Sequence, residues 1–305
     1  MSTKLIIDTD PGIDDAMAIV FAGLHPDIEL IGLTSVFGNV TVDKTTRNAL
    51  HLVEMLDLDI PVAAGASAPM SMPFNGESDY VHGTEGFGDI PAQSPKQVPD
   101  KRRAPAFICD QIQAHPGEIV LCPVGPLTNI AAALAYDPTI AQAVKSVVIM
   151  GGSLHAGGNV TDHAEANIWN DPHAADAVFA ADWPVTMIGL DVTARIKCFQ
   201  AQFDEAAAQA PRLGGFLNQM FPFYANFYKA HYGLDGVMMH DPAAVIACIR
   251  PDLFTFEHVP LTVIPNAEAM GQTVATTDRP NVAVAIEAQI DSVVSLFLDT
   301  IKAGD

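Results

Sequence analysis

Basic residues are scarce in this chain of 305, with 15 Lys and Arg against 36 Asp and Glu and a net charge of −21. So few cations cannot assemble a large positive patch, which argues against nucleic acid or an anionic membrane as partner. Cysteine is sparse too. Cys109, Cys122, Cys198 and Cys248 are widely spaced and form no CxxC pair. That argues against zinc-ribbon or thioredoxin-like chemistry and leaves isolated buried thiols as the expectation. No apolar run reaches membrane-spanning length, and Met-Ser-Thr-Lys leads into an apolar strand without a signal peptide. A soluble cytoplasmic protein is expected. Repeats and low-complexity tracts are also missing.

Hydrophobic residues make up 49 % of the chain and charged ones 17 %. That is ample material for a sizeable core, in one large α/β domain or two smaller ones. The chain is organised around Asp8-Thr9-Asp10-Pro11-Gly12-Ile13-Asp14-Asp15. Leu5-Ile6-Ile7 before it reads as a buried strand and Ala16 to Phe21 after it as a helix, with Pro-Gly at the turn between. Four carboxylates in eight residues repel one another unless a cation sits among them, and a hard divalent ion such as Ca²⁺ takes several oxygens at once. Capping and the helix dipole account for one or two of the four, not readily for all.

The pattern then alternates. Strands are predicted over residues 28–37, 61–65, 118–123, 145–150 and 184–190, and helices over 42–58, 104–114, 130–136 and 172–181, the last capped by Asp171. This implies an α/β fold: an open, mostly parallel sheet with helices on both faces and a binding face formed by the loops after the strands. Two loop regions stand out. Residues 65–99 lack periodicity and contain His82-Gly83-Thr84-Glu85-Gly86-Phe87-Gly88-Asp89, whose glycines permit positive φ or close backbone approach. The other follows Gly151-Gly152 and reaches Asn170. Residues 212–232 read as a strongly aromatic helix that Pro222 should kink or break. Most of its rings suit the core, and a few could cover a flat ligand. Asp241 reads as the N-cap of a short helix from Ala243, and closing strands and a final helix follow.

Asp10, Asp14, Asp15, Asn39, Asn159, Glu165, Asn167 and Asp241 all fall in predicted strand-end loops or turns, and segments 8–15, 150–171 and 235–242 carry no Lys or Arg. A phosphate would want a cationic side chain or a P-loop. The set fits a neutral, hydroxyl-rich ligand held by carboxylates, amides and a cation.

At this point the sequence resembles the inosine-uridine preferring nucleoside hydrolase family. The resemblance covers essentially the whole chain and rests on residues 8–15, Gly125-Pro126-Leu127-Thr128-Asn129-Ile130-Ala131, Met150-Gly151-Gly152, Gly158-Asn159-Val160-Thr161 and His240-Asp241-Pro242. It implies one Rossmann-like nucleoside hydrolase domain over residues 1–305. The implied reaction is Ca²⁺-dependent hydrolysis of ribonucleosides to ribose and free base in nucleoside salvage. It further implies a homo-oligomer, dimer or tetramer. Asp10, Asp15, Asp241 and the main-chain carbonyl of Thr128 would bind Ca²⁺. Asp14, Asn39, Asn159, Glu165 and Asn167 would hold the ribose, with Met150 against the sugar. His82, His240, Tyr224 and Tyr228 would surround the base.

The N-glycosidic bond breaks through a transition state of oxocarbenium character. Asp10 would deprotonate a water oriented by the ion. Asp14 and Glu165 would face the developing positive charge, and His240 would act as acid or hydrogen-bond donor to the base. The chain departs from the family at Ala166, where many relatives carry Phe, and at Thr161-Asp162-His163-Ala164 in place of Thr-Pro. A smaller residue at 166 leaves a roomier base pocket. Retention of His240, with neither Trp169 nor Trp183 in a stacking segment, points to pyrimidine nucleosides or inosine.

Two other readings compete. Asp8-x-Asp10 also opens haloacid-dehalogenase-like phosphatases, but those need a basic residue at the phosphate and leave Asp14-Asp15 without a role. A non-catalytic nucleoside or pentose sensor could share the same fold.

Overall fold

A computed structural model describes residues 2–304. Its eleven strands are β1 (Thr3–Thr9), β2 (Ile28–Ser35), β3 (Val62–Ala64), β4 (Ile119–Pro123), β5 (Ser146–Met150), β6 (Val185–Ile188), β7 (Lys197–Cys198), β8 (Val237–Met238), β9 (Phe254–Val263), β10 (Thr273–Ala275) and β11 (Asn281–Ala288). The helices of the first half are α1 (Ile13–Leu24), α2 (Val42–Met55), α3 (Asp79–His82), α4 (Ala104–Ala114), α5 (Thr128–Tyr136) and α6 (Ile140–Ala143). Those of the second half are α7 (Ala166–Asn170), α8 (Pro172–Ala180), α9 (Leu190–Thr193), α10 (Gln200–Gln209), α11 (Leu213–Tyr232), α12 (Asp241–Ile249) and α13 (Ile290–Lys302).

Nine strands form one sheet in the order β10-β9-β11-β6-β5-β4-β1-β2-β3. The seven from β11 to β3 run parallel, and β9 and β10 join antiparallel at one edge. The expected architecture is therefore present. Successive side chains of a strand point to opposite faces. Leu5 and Ile7 accordingly enter one buried cluster and Ile6 the other, and Val148 and Met150 separate in the same way from Val147 and Ile149. Strands buried on both faces read as continuous apolar runs, which is why β1, β4 and β5 were evident from the sequence. The chain runs from β1 through β2 to β3 on one side and then returns to β4 on the other side of β1, and the crevice beyond the carboxyl ends at such a switch point is where open α/β sheets bind ligands.

Three local expectations change. The loop regions contain short helices, α3 in the first and α7 in the second. Pro222 does not break α11, which runs 20 residues from Leu213 to Tyr232. Pro222 lies on the exposed face, where water can take up the Asn218 carbonyl that the missing N–H leaves free. Asp241 is the first residue of α12, preceded by His240 at the cap position, so it is not the expected N-cap. Asp171 does cap α8, accepting from the Ala174 N–H at 3.0 Å. Among the described residues no helix is long and apolar enough to cross a membrane.

Candidate active site

The turn after β1 folds back on its own carboxylates. Asp15, in the first turn of α1, accepts the Gly12 N–H at 3.0 Å, the Asp10 N–H at 3.1 Å, the Thr9 hydroxyl at 2.5 Å and the Asn39 amide at 3.0 Å. For Asp15 the capping reading thus holds. Asp10 differs. Its Oδ2 accepts the Asn39 N–H at 2.7 Å, whereas its buried Oδ1 has no hydrogen-bond partner among the described residues. The carboxyl is pressed between Gly38 and Gly125, at each of which a Cβ would collide with it. Asp14, Asp15 and Asp241 each place a carboxylate oxygen within 4.8 Å of the others.

These groups are buried together without a counter-charge. Burial, followed by the charges of Asp15 and Asp14, drives the Asp10 carboxyl well above its ordinary range. Burial and Asp15 push Asp14 up to about 7. Asp241 is raised by burial and then by Asp14, Asp15, Asp10 and Glu165. No Lys or Arg lines the adjoining cavity of about 300 Å³ among the described residues. An unpartnered buried oxygen within a set of mutually repelling carboxylates suits a hard divalent cation with oxygen ligands. The residues present could hold such a metal ion.

The structure brings most of the expected residues to this cavity. Asp14, Asn39, His82, Met150, Asn159, Glu165, Asn167, Tyr224, Tyr228, His240 and Asp241 all line it. Several also carry structural duties that sequence could not show. Glu165 caps α7, its carboxylate accepting the N–H groups of Asn167 and Ile168 and, across the turn, that of Gly152 at 2.9 Å. The Asn39 amide bonds Asp15 and the Asp10 carbonyl. Asn167 donates to the carbonyls of Val124 at 2.8 Å and Met150 at 3.2 Å, joining the ends of β4 and β5. Asn159 lies exposed at the rim and accepts the Ala166 N–H at 3.0 Å.

Asp10, Asp15 and Thr128 are not part of the cavity lining. Thr128 opens α5 with its hydroxyl on Asp171 at 2.7 Å. As a helical residue its carbonyl is directed along α5. The residue of this segment that lines the cavity is Val124, one residue beyond β4. Its carbonyl accepts from Asn167, and a main-chain group leaves no side-chain signal in a sequence.

The opposite wall is aromatic. Tyr224, Tyr228 and Tyr232 recur every fourth residue on one face of α11 and, with Phe227, line the cavity. That spacing could have disclosed Tyr232. Tyr80 on α3, 61 % exposed, packs 6.0 Å from Phe227 at the mouth, and no local pattern announces it. The Nδ1 of His82 accepts the Ile13 N–H at 3.1 Å, and burial together with His240 lowers its pKa to about 3. His240 bonds Tyr228 through Nε2 at 2.9 Å and Thr193 through Nδ1 at 2.8 Å, and burial lowers its pKa to about 4. Both imidazoles are neutral at neutral pH. Gly83, Gly86 and Gly88 adopt φ of 79°, 92° and 63°, the positive values that the turn beneath α3 requires. Trp183 is a core residue bonded to the Val178 carbonyl, and neither it nor Trp169 faces the cavity.

Comparison with known proteins agrees with this geometry. The family model for inosine-uridine preferring nucleoside hydrolases matches residues 5–295. Uridine nucleosidase 1 of Arabidopsis thaliana is 40 % identical over 271 residues, covering 88 % of this chain and 81 % of its own length. A solved plant nucleoside hydrolase superposes with a TM-score of 0.96 at 34 % identity, over 99 % of this chain and 100 % of its own. The purine-preferring ribonucleoside hydrolase from Gardnerella vaginalis gives 0.95 at 34 % identity, over 98 % of both chains.

Proposed function

The chain belongs to the inosine-uridine preferring nucleoside hydrolase family, enzymes that cleave N-glycosidic bonds, and from that membership we propose a Ca²⁺-dependent ribonucleoside hydrolase with Asp10 as general base. The observation that carries this reading is the Asp10 Oδ1, unpartnered among the described residues and buried next to carboxylates of which Asp14 and Asp241 line a cavity without cationic side chains.

Asp10, Asp15 and Asp241 would hold the ion, joined by the Val124 carbonyl in place of that of Thr128. When bound, the ion supplies Lewis-acid polarisation of water and of sugar hydroxyls. Asp10 accepts the proton of the attacking water. Asp14 and Asn167 face the sugar from the floor and Asn159 from the rim, while Asn39, Glu165 and Met150 fix the backbone around it. The negative charge of Asp14 and Glu165 favours the oxocarbenium character that develops as the C1′–N bond lengthens.

The base leaves with the bonding electron pair and needs a donor. A histidine held near pKa 4 by burial is neutral in the working range, so His240 acts as a hydrogen-bond donor rather than as a charged acid. Ala166 lines the cavity and leaves the room for uracil, cytosine or hypoxanthine that favours pyrimidine nucleosides and inosine.

Release of reducing sugar from a nucleoside panel, with and without removal of calcium, tests the reading. Ribose from inosine, uridine or cytidine that disappears with the metal is the expected result. Calcium-loaded protein that binds nucleosides without releasing ribose would instead establish a sensor.

A further inference from the structure

The four-residue helix α9 contributes little to the cavity surface, yet it holds a catalytic neighbour. Thr193, its last residue, is fully buried, and its N–H is already engaged with the Gly189 carbonyl at 3.1 Å. Its hydroxyl meets the Nδ1 of His240 at 2.8 Å. The other ring nitrogen begins a series of bonds across the cavity wall. His240 Nε2 lies 2.9 Å from the Tyr228 hydroxyl, and the Tyr228 hydroxyl donates to that of Tyr224 at 3.2 Å.

Counting protons fixes the direction of the series. The Tyr228 hydroxyl has one proton and gives it to Tyr224, so toward His240 it can only accept. The imidazole proton is therefore on Nε2, and Nδ1 is left as an acceptor for the one remaining donor, the Thr193 hydroxyl. Three bonds use three protons.

We propose that Thr193 is a positioning residue that fixes His240 with its proton on Nε2, facing Tyr228 and the departing base. This rests on the donor role given to His240 above. Val at this position keeps the shape and removes the hydroxyl, so the ring loses the contact that sets its orientation and tautomer. Ser keeps the hydroxyl.

The test compares turnover of inosine, a poor leaving group, with that of a p-nitrophenyl riboside, whose phenolate departs without a donor, in Ca²⁺-loaded enzyme. Histidine orientation by a buried partner governs rates by orders of magnitude in hydrolases. T193V is expected to lose about 30-fold in kcat on inosine and less than about threefold on the nitrophenyl riboside, with T193S within about threefold of the parent on both. Equal losses on both substrates in T193V, or a loss in T193S as large as in T193V, would overturn the proposal and reduce Thr193 to a packing residue. His240→Ala in parallel separates this failure from that of the underlying reading. If His240→Ala itself shows no dependence on the leaving group, the donor role falls; if it does and T193V does not, only the Thr193 assignment falls.

Discussion

The two walls of the cavity are built differently. The carboxylate wall belongs to the sheet: Asp10, Val124 and Met150 follow or end adjacent parallel strands. Backbone N–H groups of Asp10, Gly12, Asn39 and Gly152 hold its acids in place. The aromatic wall is hung on the short helix α3 and the last turns of α11, where rings meet rings, Tyr80 on Phe227 and Phe227 on His231 at 4.5 Å. Chemistry common to all nucleosides needs the rigid wall. Selection of a base needs only the other, which can change without disturbing a strand. A family can therefore keep one reaction while its members diverge in the base they prefer.

Substitution on the carboxylate wall should cost most and should not discriminate between substrates. Asp10→Asn keeps the shape and removes the base, so kcat is expected to fall by about a thousandfold, equally for inosine and uridine, in steady-state assays of calcium-loaded enzyme. A variant with near-parental turnover, or one that loses far more on one base, would contradict the division of labour.

Removal of the metal probes the same wall through stability. Burial raises Asp8 and Asp14 from 3.8 to about 7 in the metal-free chain. A carboxyl raised in the folded state binds more protons there than when unfolded, so its contribution is present below about pH 4 and fades as pH rises through about 7. Metal-free protein should accordingly melt at a higher temperature at pH 5.5 than at pH 8. Calcium, which favours the ionised carboxylates, should raise the pH 8 value most. Scanning calorimetry at the two pH values checks this, and a metal-free melting temperature that climbs with pH would refute it.

On the aromatic wall the expected effects are smaller and depend on the base. Tyr80→Ala removes an exposed ring whose contact with a flat base is worth about 1 kcal/mol, roughly five- to tenfold in KM. The effect should differ between inosine and uridine because their ring areas differ, and kcat should change little. Identical changes for both nucleosides would mean that Tyr80 shields the mouth without touching the base.

The same contrast explains what could be read from the sequence. Residues 8–15 are informative because strand, turn and helix follow one another, so local residue order alone places Asp10, Asp14 and Asp15 together. Met150 and Asn167 were legible as residues after a strand. Val124 was not, since the group it would offer a cation is a carbonyl that any residue carries, and the resemblance to the family directed attention to Thr128. The aromatic wall joins α3 to α11, about 140 residues later in the chain. No periodicity within either segment reports that they touch, and Tyr80, Phe227 and Thr193 emerge only from the folded arrangement. Glu165 and Asn39 were singled out as groups for a ligand and are also tied into the fold, Glu165 accepting backbone N–H groups and the Asn39 amide donating to the Asp10 carbonyl and to Asp15.

The smallest expected effect lies where α9 meets the sugar side. Asp191 accepts the N–H groups of Leu154 at 2.8 Å, His155 at 2.7 Å and Ala156 at 3.1 Å, so one carboxylate ties down the loop that leads to Asn159. Asp191→Asn keeps one acceptor oxygen and replaces the other with a donor facing N–H groups. The loop then loosens at its base while Asp10, the cation ligands and His240 stay in place. About 0.8 kcal/mol of loop ordering lost on this exchange corresponds to a KM higher by roughly three- to fivefold at unchanged kcat. Because the loop borders the sugar, the increase should be the same for inosine, uridine and cytidine. A change confined to one nucleoside would place the 154–158 loop on the base side and redraw the boundary between the two walls.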